Sequence, residues 1–468
     1  MQVLCRALKP TRVEPCLFLF PAPSSLRPWT YRHRVAYSLR FVILDGSSSV
    51  LLVEDGGGWA LPQMWSEEPE IVIDTAPTLR ELAGGDVFVL RDIRFGPMPP
   101  PDGAIVYLTE PVLDPHAARG RWCTQEELPG LQLVDPRDRT ALETWFGESE
   151  PGSLQPWQQK GWFATAVTWI EEMLSGVSEV GQFATWCNSC ILRVDSDRGR
   201  SWFKASPAYF AHEPIVMTML AELFPGRTPQ VLGLDAKRNW MLLEDLGDES
   251  ADALPVDERL GALTAIGELH RASVGLADTL LDGGCLDRRP HLLSAQIAAL
   301  AADPTIPLPG DLGARFQAAI PRLQELCAEL ASSPIPSTLV HGDLHAGNIM
   351  RTAGRFVTFD WSDACVADPF VDVLMFLTRL PDEPGVRATF RERYLDEWPN
   401  VGRSQAVAYA ELAEPLAAMH HAVTYRGIYD AFGANEWWLF GDTLPRWIEH
   451  ALACPIVGAA GLEPRPSP

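Results

Sequence analysis

Three polar residues share one short loop that apolar residues precede and follow. His341, Asp343 and Asn348 lie within this loop, and a second apolar stretch ends in Asp360, twelve residues beyond Asn348. A carboxylate can accept the proton of a hydroxyl group. A second carboxylate and an amide oxygen suit a hard divalent cation such as Mg²⁺. This combination indicates phosphoryl transfer from a nucleotide to a hydroxyl group.

The spacing of these residues matches a known type of catalytic loop. His-x-Asp-x4-Asn followed by a further Asp is the arrangement found in protein kinases. The chain resembles most the aminoglycoside phosphotransferase family, whose loop reads H-G-D-x-x-x-x-N and is followed by a D-W or D-F pair. The resemblance extends over about residues 155–468. The matching residues are His341, Gly342, Asp343, His345, Asn348, Asp360 and Trp361.

The resemblance implies a role for each matching polar residue. Asp343 is expected to be the catalytic base, and Asn348 and Asp360 are expected to bind Mg²⁺. His341 is expected to brace the loop. The resemblance also implies ATP as the phosphoryl donor and a bilobal protein-kinase-like fold, with a small β-rich lobe followed by a large helical lobe.

Two further acidic residues follow the metal-binding segment. Asp368 and Asp372 match the family in this region. We interpret both as scaffold residues that cap and anchor a helix over residues 370–380, since an acidic side chain can accept hydrogen bonds from the free amides of a helix N-terminus.

A lysine and a glutamate on the small lobe would complete the site. Lys204 lies on a predicted strand, where it would reach the α- and β-phosphates as a point charge. Glu213 opens the next predicted helix and would pair with Lys204. The alternatives are an exposed lysine on an edge strand and a helix N-terminal acid favoured by the helix dipole. Glu222, farther along the same helix, is the competing partner.

The expected nucleotide contacts on the small lobe have weaker signals. Residues 182–189 occupy the position of an ATP-covering loop, but they contain no G-x-G-x-x-G, and only Ser189 is named as a contact. The segment 242–247 fits a hinge between lobes, where the backbone of Glu244 and Leu246 would hydrogen-bond adenine. The alternative for this segment is an ordinary strand end.

The elements around these residues predict an α+β fold. Strand-like runs with one helix occupy residues 155–248, and mostly helical sequence fills 249–468, interrupted by a strand-loop-strand segment at 338–360. Polar residues with Pro and Gly at 148–153 predict a domain boundary. A separate domain is therefore expected over residues 36–150. Residues 1–35, which are rich in arginine, are expected to be a poorly ordered leader.

Residues 36–150 resemble a Nudix-type domain in part. Trp59-Ala60-Leu61-Pro62 is similar to that family's W-x-L-P, and Leu79-Arg80-Glu81-Leu82 is similar to the start of its R-E-L-x-E-E core. Gly84 and Gly85 stand where two metal-binding glutamates are expected. Because hydrolysis of nucleoside diphosphate derivatives needs clustered carboxylates to hold Mg²⁺, we expect a Nudix-like α/β/α domain without hydrolase activity.

Composition narrows the class of protein. The 468 residues carry a formal net charge of -23, which disfavours nucleic acid and anionic membranes as partners. No apolar run approaches the roughly 18 residues of a membrane span. The nine cysteines include a lone Cys187-x-x-Cys190 and no second such pair with zinc spacing. This pattern favours buried free thiols in a reducing, cytoplasmic setting.

These observations predict an ATP-dependent phosphotransferase that acts on a hydroxyl group of a small molecule. The alternative is a nucleotide-binding pseudokinase or regulator whose N-terminal domain senses a ligand, although a pure binder would not need a base such as Asp343. The acceptor is expected in the helical lobe, beside a patch that would either hold a cationic or polyhydroxylated ligand or be core and solvated surface. The patch comprises Tyr425, Tyr429, Asp430, Phe432, Glu436, Trp437, Trp438 and Asp442.

Overall fold

The computed structural model describes residues 37–66, 76–93, 104–112, 119–147, 154–306, 308–381, 383, 385–432 and 440–458. One lobe is built on a β-sheet and one is built of helices, which confirms the predicted α+β class and its two lobes. The expected leader at 1–35 and the expected boundary at 148–153 lie outside the described residues. Within the described ranges, no helix has the length and apolar character needed to cross a membrane.

The described part of residues 37–147, called the N-terminal unit below, combines small sheets with helices. Its strands are β1 (Tyr37–Val42), β2 (Val50–Asp55), β3 (Gly58–Ala60), β4 (Gln63–Ser66), β5 (Val87–Ile93), β6 (Ala104–Pro111) and β7 (Arg121–Cys123). Its helices are α1 (Ala76–Ala83) and α2 (Pro136–Phe146). The strand order is β4-β1-β6-β5 in one sheet and β3-β2-β7 in the other, so β5 is an edge strand. The resemblance to a Nudix-type domain stays a prediction.

The small lobe is a five-stranded antiparallel sheet with two helices. Its elements are α3 (Trp162–Met173), β8 (Val177–Thr185), β9 (Cys190–Ser196), β10 (Gly199–Ala205), α4 (Glu213–Leu223), β11 (Val231–Asp235) and β12 (Trp240–Glu244). The order is β11-β12-β10-β9-β8, which leaves β8 at one edge. Buried Cys190, Leu192 and Val194 alternate along β9 with more exposed residues, the period of two that places one face of a strand on a core.

The hydrophobic core of the N-terminal unit continues into the small lobe. Phe88 on β5 stacks on Phe163 of α3, with ring centroids 4.7 Å apart. Trp162, on the same helix, meets Phe203 and Trp240 of the five-stranded sheet at 6.0 and 5.8 Å. The chain segments on the two sides of residues 148–153 therefore share one core.

The large lobe is mainly helical. Its helices are α5 (Val256–Ala272), α6 (Ala277–Asp282), α7 (Pro290–Ala302), α8 (Leu312–Ala331), α9 (Phe370–Thr378), α10 (Val386–Leu395), α11 (Arg403–Phe432), α12 (Thr443–Ala453) and α13 (Pro455–Gly458). Short strands lie between α6 and α9: β13 (Leu286–Asp287), β14 (Thr338–Val340), β15 (Ile349–Thr352), β16 (Arg355–Thr358) and β17 (Cys365–Ala367). α9 is buried along its whole length, and α11 packs against it.

The cysteines of the described residues are free thiols, and all of them except Cys454 are buried. Burial raises the pKa of Cys190 to about 12, although Thr185 forms a hydrogen bond to it. A neutral, buried thiol is a poor metal ligand. This environment supports the structural interpretation of the Cys187-x-x-Cys190 pair.

Candidate active site

The loop that carries Asp343 begins where the buried strand β14 ends. Residues 341–345 lead into a single 3-10 turn, Ala346–Asn348, and then into β15. Gly342 has a φ of +89°, and a Cβ atom there would lie 2.5 Å from the backbone oxygen of Asp363. Only glycine combines that backbone conformation with such a close approach. Gly342 thus lets the loop lie directly against the segment that follows Asp360.

His341 lies fully buried behind this loop. Its Nε2 is 2.8 Å from the carbonyl oxygen of Phe359, and its Nδ1 accepts a hydrogen bond from the backbone amide of Asp343 at 3.3 Å. Its ring centroid lies 4.7 Å from that of Trp361. His341 therefore joins the loop to the strand end that carries Asp360, which is the bracing position expected from the sequence.

Asp372 holds the same loop through its backbone. Its carboxylate accepts hydrogen bonds from the amides of His341 at 2.8 Å and Gly342 at 2.9 Å. It also lies 3.1 Å from Nε2 of His270, whose Nδ1 lies 2.9 Å from the hydroxyl of Tyr394. Burial acts to raise the pKa of Asp372, but the hydrogen bonds and charge of His270 and the loop amides lower it below its usual value. The carboxylate therefore stays ionised.

The interpretation of Asp368 and Asp372 as helix caps is correct for Asp368 alone. Asp368 accepts a hydrogen bond from the amide of Phe370, at the start of α9, at 2.9 Å. Asp372 binds the loop instead, and α9 ends at Thr378 rather than at residue 380. No sequence pattern indicated this role of Asp372, because Asp372 and His270 are 102 residues apart.

Asn348 and Asp360 offer oxygen atoms to one cleft. Nδ2 of Asn348 donates to the carbonyl of Asp343 at 3.0 Å, and its buried Oδ1 has no hydrogen-bond partner among the described residues. Asp360 has a φ of +64°, which is uncommon for a residue with a side chain. An unpaired amide oxygen and a carboxylate are the ligands that a hard divalent cation prefers. The residues present therefore fit Mg²⁺.

Lys204 connects the two lobes. Its Nζ lies 2.6 Å from Oε1 of Glu213 and 2.6 Å from Oδ1 of Asp360, and Glu213 also accepts a hydrogen bond from Ser206 at 2.7 Å. Lys204 is only 8% exposed and Glu213 is fully buried, so neither is a surface residue. Glu222, the competing partner, is exposed. The structure thus brings together Lys204 and Glu213.

Burial and ion pairing shift the pKa values of Lys204, Asp360 and Glu213 in opposite directions. Burial disfavours the ammonium form of Lys204, but the carboxylates of Asp360 and Glu213 outweigh it and raise the pKa of Lys204 above its usual value. Burial likewise opposes ionisation of Asp360, but Lys204 holds the pKa of that carboxyl below its usual value. In Glu213 burial dominates and raises the pKa. Lys204 is therefore a fixed positive charge at neutral pH.

The cleft around Lys204 has a volume of about 900 Å³, part of which is open to solvent. The turn between β8 and β9 forms part of its wall, with the amide of Trp186 donating to the carbonyl of Ser189 at 2.9 Å. Ser189 lines the cleft together with Asn188. The predicted nucleotide contact at Ser189 is thus brought into the same space as Asp343.

The predicted hinge residues are not among the cleft-lining residues of the described chain. The amide of Glu244 donates to the carbonyl of Gln230 at 3.1 Å, and the carbonyl of Leu246 accepts a hydrogen bond from Thr352 at 2.6 Å. These bonds occupy the amide of Glu244 and the carbonyl of Leu246. Their adenine contacts stay a prediction.

Carboxylates are concentrated on the floor of the cleft, where Asp343, Asp360 and Asp363 all contribute to the lining. Oδ1 of Asp343 has no hydrogen-bond partner within the described chain, and burial raises its pKa above the usual value. Burial and the charges of Asp343 and Asp360 raise the pKa of Asp363 to about 8. Burial lowers the pKa of His345 to about 3. This group of carboxylates favours a bound cation. The position of Asp363 in the cleft was not predicted from the sequence.

Helix α11 forms a further wall of the cleft. His421, Thr424, Tyr425 and Ile428 line it from this helix. Burial lowers the pKa of His421 to about 4, so its imidazole is neutral at physiological pH. This wall is mainly aromatic and uncharged.

The acidic part of the predicted acceptor patch lies elsewhere. Asp430 pairs with Arg426 and is 61% exposed, and Asp442 pairs with Arg446 at 2.8 Å. Neither residue contributes to the cleft lining in the described chain. Glu436, Trp437 and Trp438 lie outside the described residues.

Comparison with known families identifies the class of protein. The family model described as "Phosphotransferase enzyme family" matches residues 184–427, more than half of the chain. The chain therefore belongs to the phosphotransferase enzyme family, and it is a small-molecule kinase. No curated protein sequence matches it.

Solved structures of small-molecule kinases are similar to the chain at low identity. Choline kinase LicA from Streptococcus pneumoniae is 14% identical, with 64% of this chain and 99% of that chain covered and a TM-score of 0.48. The GDP and kanamycin complex of APH(2")-IIia is 15% identical, with coverages of 64% and 99% and a TM-score of 0.46. An ethanolamine kinase from Plasmodium vivax is 10% identical, with coverages of 69% and 96% and a TM-score of 0.48. The family assignment rests on the family model alone.

Proposed function

We propose that this phosphotransferase transfers the γ-phosphoryl group of ATP to a hydroxyl group of a small molecule. The observation that carries the proposal is the meeting of Asp343, Asn348, Asp360 and Lys204 in one cleft. Lys204 belongs to the small lobe and the other three belong to the large lobe. A base, two metal ligands and a phosphate-binding cation are the parts that phosphoryl transfer requires.

Asp343 is the proposed base. Its Oδ1 is unpaired within the described chain, and its raised pKa makes it a stronger proton acceptor than an exposed aspartate. Asp343 accepts the proton of the acceptor hydroxyl while the hydroxyl oxygen forms its bond to the γ-phosphorus. The bond from the γ-phosphorus to the bridging oxygen breaks, and ADP leaves with the electron pair.

The other residues bind and orient the nucleotide. Oδ1 of Asn348 and the carboxylate of Asp360 would hold Mg²⁺, which neutralises charge on the phosphates when bound. Lys204 contacts the α- and β-phosphates as a point charge, and Glu213 fixes its position through the 2.6 Å ion pair. Ser189 contacts the phosphates from the turn between β8 and β9.

The proposal also assigns a role to each segment of the chain. Residues 155–248 and 249–468 act as the two kinase lobes, and residues 36–150 are a Nudix-like domain without hydrolase activity. We place the protein in the cytoplasm, because its buried free thiols suit a reducing compartment that also supplies ATP.

An ATP-consumption screen of the full chain with Mg²⁺ tests the proposal. The library should hold sugars, amino alcohols, aminoglycosides and macrolides, which all carry hydroxyl groups. Asp343→Asn, which keeps the shape of the side chain, serves as the matched control. A compound that stimulates consumption by the native protein alone supports the proposal. Binding of ATP without consumption on any acceptor would favour the pseudokinase alternative.

A further inference from the structure

Two edge strands from different parts of the chain face each other. β5 lies at the edge of its sheet in the N-terminal unit, and β8 lies at the edge of the five-stranded sheet. The side-chain amide of Gln182 on β8 donates to the carbonyl of Val89 at 2.9 Å and accepts from the amide of Val89 at 2.9 Å. This reciprocal pair imitates one rung of a β-ladder. It occupies backbone groups of β5 that an edge strand would otherwise leave free.

A second link reaches the turn between β8 and β9 directly. Trp157 is fully buried, and its Nε1 donates to the carbonyl of Trp186 at 2.8 Å. Trp186 in turn donates to Ser189 and closes the turn. The ring of Trp157 lies 6.4 Å from that of Trp162, within the core that the N-terminal unit shares with the small lobe.

The N-terminal unit also fixes the helix that leads away from Trp157. Glu110 on β6 accepts a hydrogen bond from the amide of Gly161 at 2.7 Å, at the N-terminus of α3. A carboxylate at this position satisfies free amides and interacts favourably with the helix dipole. Together with the stacking of Phe88 on Phe163 at 4.7 Å, this bond holds α3 against the N-terminal unit.

We infer that the N-terminal unit is a fixed brace for the nucleotide-binding turn, with Gln182 and Trp157 as its positioning residues. Trp186, Asn188 and Ser189 of this turn line the cleft. The turn contains no glycine that could shape a phosphate-binding nest by itself. Holding a binding loop in place lowers the entropy that a ligand must remove on binding. This inference rests on the proposed binding of ATP in the cleft.

Variants of the full chain test the brace. Trp157→Phe keeps an aromatic ring but removes the donor to Trp186. Gln182→Met keeps the length but removes both bonds to Val89 and the bond to Thr185. Each should weaken binding of Mg²⁺-ATP by about 5- to 30-fold, the effect of losing 1–2 kcal/mol. Hydrogen exchange should also become faster at residues 186–191. Arg80→Ala is the matched control, because Arg80 crosses the same interface to Glu179, at 3.6 Å, with 60% exposure.

The outcomes separate this inference from the proposed function. Absence of ATP binding by the native protein would refute the proposed function itself. Native-like affinity and exchange in both folded variants would overturn the brace while leaving the proposed function intact. Equal weakening by Arg80→Ala would also overturn it, since the effect would then be a general loosening of the interface. Thermal unfolding identifies a variant that has lost its fold, and the variant that keeps its fold then decides.

Discussion

Lys204 balances two carboxylates that belong to different lobes, at 2.6 Å from each. Because Lys204 and Glu213 are buried and the side chain of Asp360 is only 28% exposed, removing one group leaves the others imperfectly paired, which is costly away from water. In the proposed function, the ammonium group of Lys204 would contact the phosphates of the nucleotide, and Asp360 would bind the Mg²⁺ that accompanies them.

Replacing Asp360 with alanine should abolish the Mg²⁺-dependent part of ATP binding. Asp360 is the proposed anionic ligand, and Asn348 alone supplies a single neutral oxygen. ATP titrations with and without Mg²⁺ measure the effect, with Glu222→Ala as an exposed control. If Mg²⁺ strengthens ATP binding equally in the variant and the native protein, Asp360 is not the metal ligand.

Asp363 should make stability depend on pH. Its pKa is raised from 3.8 to about 8 by burial and by neighbouring carboxylates, so the folded protein binds this proton more tightly than the unfolded chain does. The contribution of the protonated Asp363 side chain to stability is complete below about pH 4 and is lost as the pH rises towards 8. Asp363→Asn should therefore raise the melting temperature more at about pH 8 than at about pH 5. Thermal unfolding without nucleotide checks this, and an equal shift at both pH values would exclude Asp363 as the responsible group.

At the scale of elements, one strand and two helices set the position of the loop that carries Asp343. β14 delivers the loop, α9 supplies Asp372 to its backbone amides, and α5 supplies His270 to Asp372. The loop position is therefore set by the packing of α5 and α9, not by the loop sequence alone. This arrangement explains why a loop with two glycines can hold Asp343 in one place.

Asp372→Ala should lower the free energy of unfolding by about 3–5 kcal/mol, the cost of breaking a buried charged network. The amides of His341 and Gly342 would lose their acceptor, and their hydrogen exchange should become faster. Urea unfolding and exchange measure the two effects. Asp368→Asn serves as the comparison, since Asp368 contacts α9 and α11 but not the loop. Native stability and exchange in Asp372→Ala would contradict the assigned role.

Local sequence was sufficient to predict that the central residues of the candidate site lie close together. His341, Asp343 and Asn348 occupy one loop, and Asp360 ends the hairpin that follows, so their spacing in the chain fixes their proximity in space. The strands were equally predictable where buried and exposed residues alternate, as in β9.

The rest of the site depends on contacts between distant segments. Asp372 accepts a hydrogen bond from an amide 30 residues before it, and Asp430 is exposed but paired with Arg426 outside the cleft. Asp363 becomes important because folding buries it beside two other carboxylates. Spacing and composition carry no information about such contacts, which is why these features could not be predicted.

At the scale of the whole molecule, the N-terminal unit and the small lobe act as one packed body. Their common core passes through α3, where Trp162 contacts the five-stranded sheet and Phe163 contacts β5. An additional unit fused in this way stabilises the small lobe by covering an edge and a face that would otherwise meet water. The unit therefore need not have a separate activity.

The full chain should not hydrolyse nucleoside diphosphate derivatives. Gly84 and Gly85 offer no side-chain ligand for Mg²⁺ at the position where Nudix-type enzymes are expected to carry glutamates. The assay should use Asp343→Asn, in which kinase activity is suppressed, and should follow phosphate products with and without Mg²⁺. Metal-dependent hydrolysis by this variant would show that the N-terminal unit is an enzyme.

Transfer of the γ-phosphate by Asp343→Asn tests the central claim most directly. The native chain, given ATP labelled in the γ-position and the acceptor found in the screen, should move the label to the acceptor hydroxyl. Asp343→Asn should lower this turnover by roughly 10²–10⁴-fold, the contribution of a positioned general base. Its ATP affinity and melting temperature should stay close to the native values, which shows that the loss is chemical. Near-native transfer by the variant would contradict the assignment of Asp343 as the base.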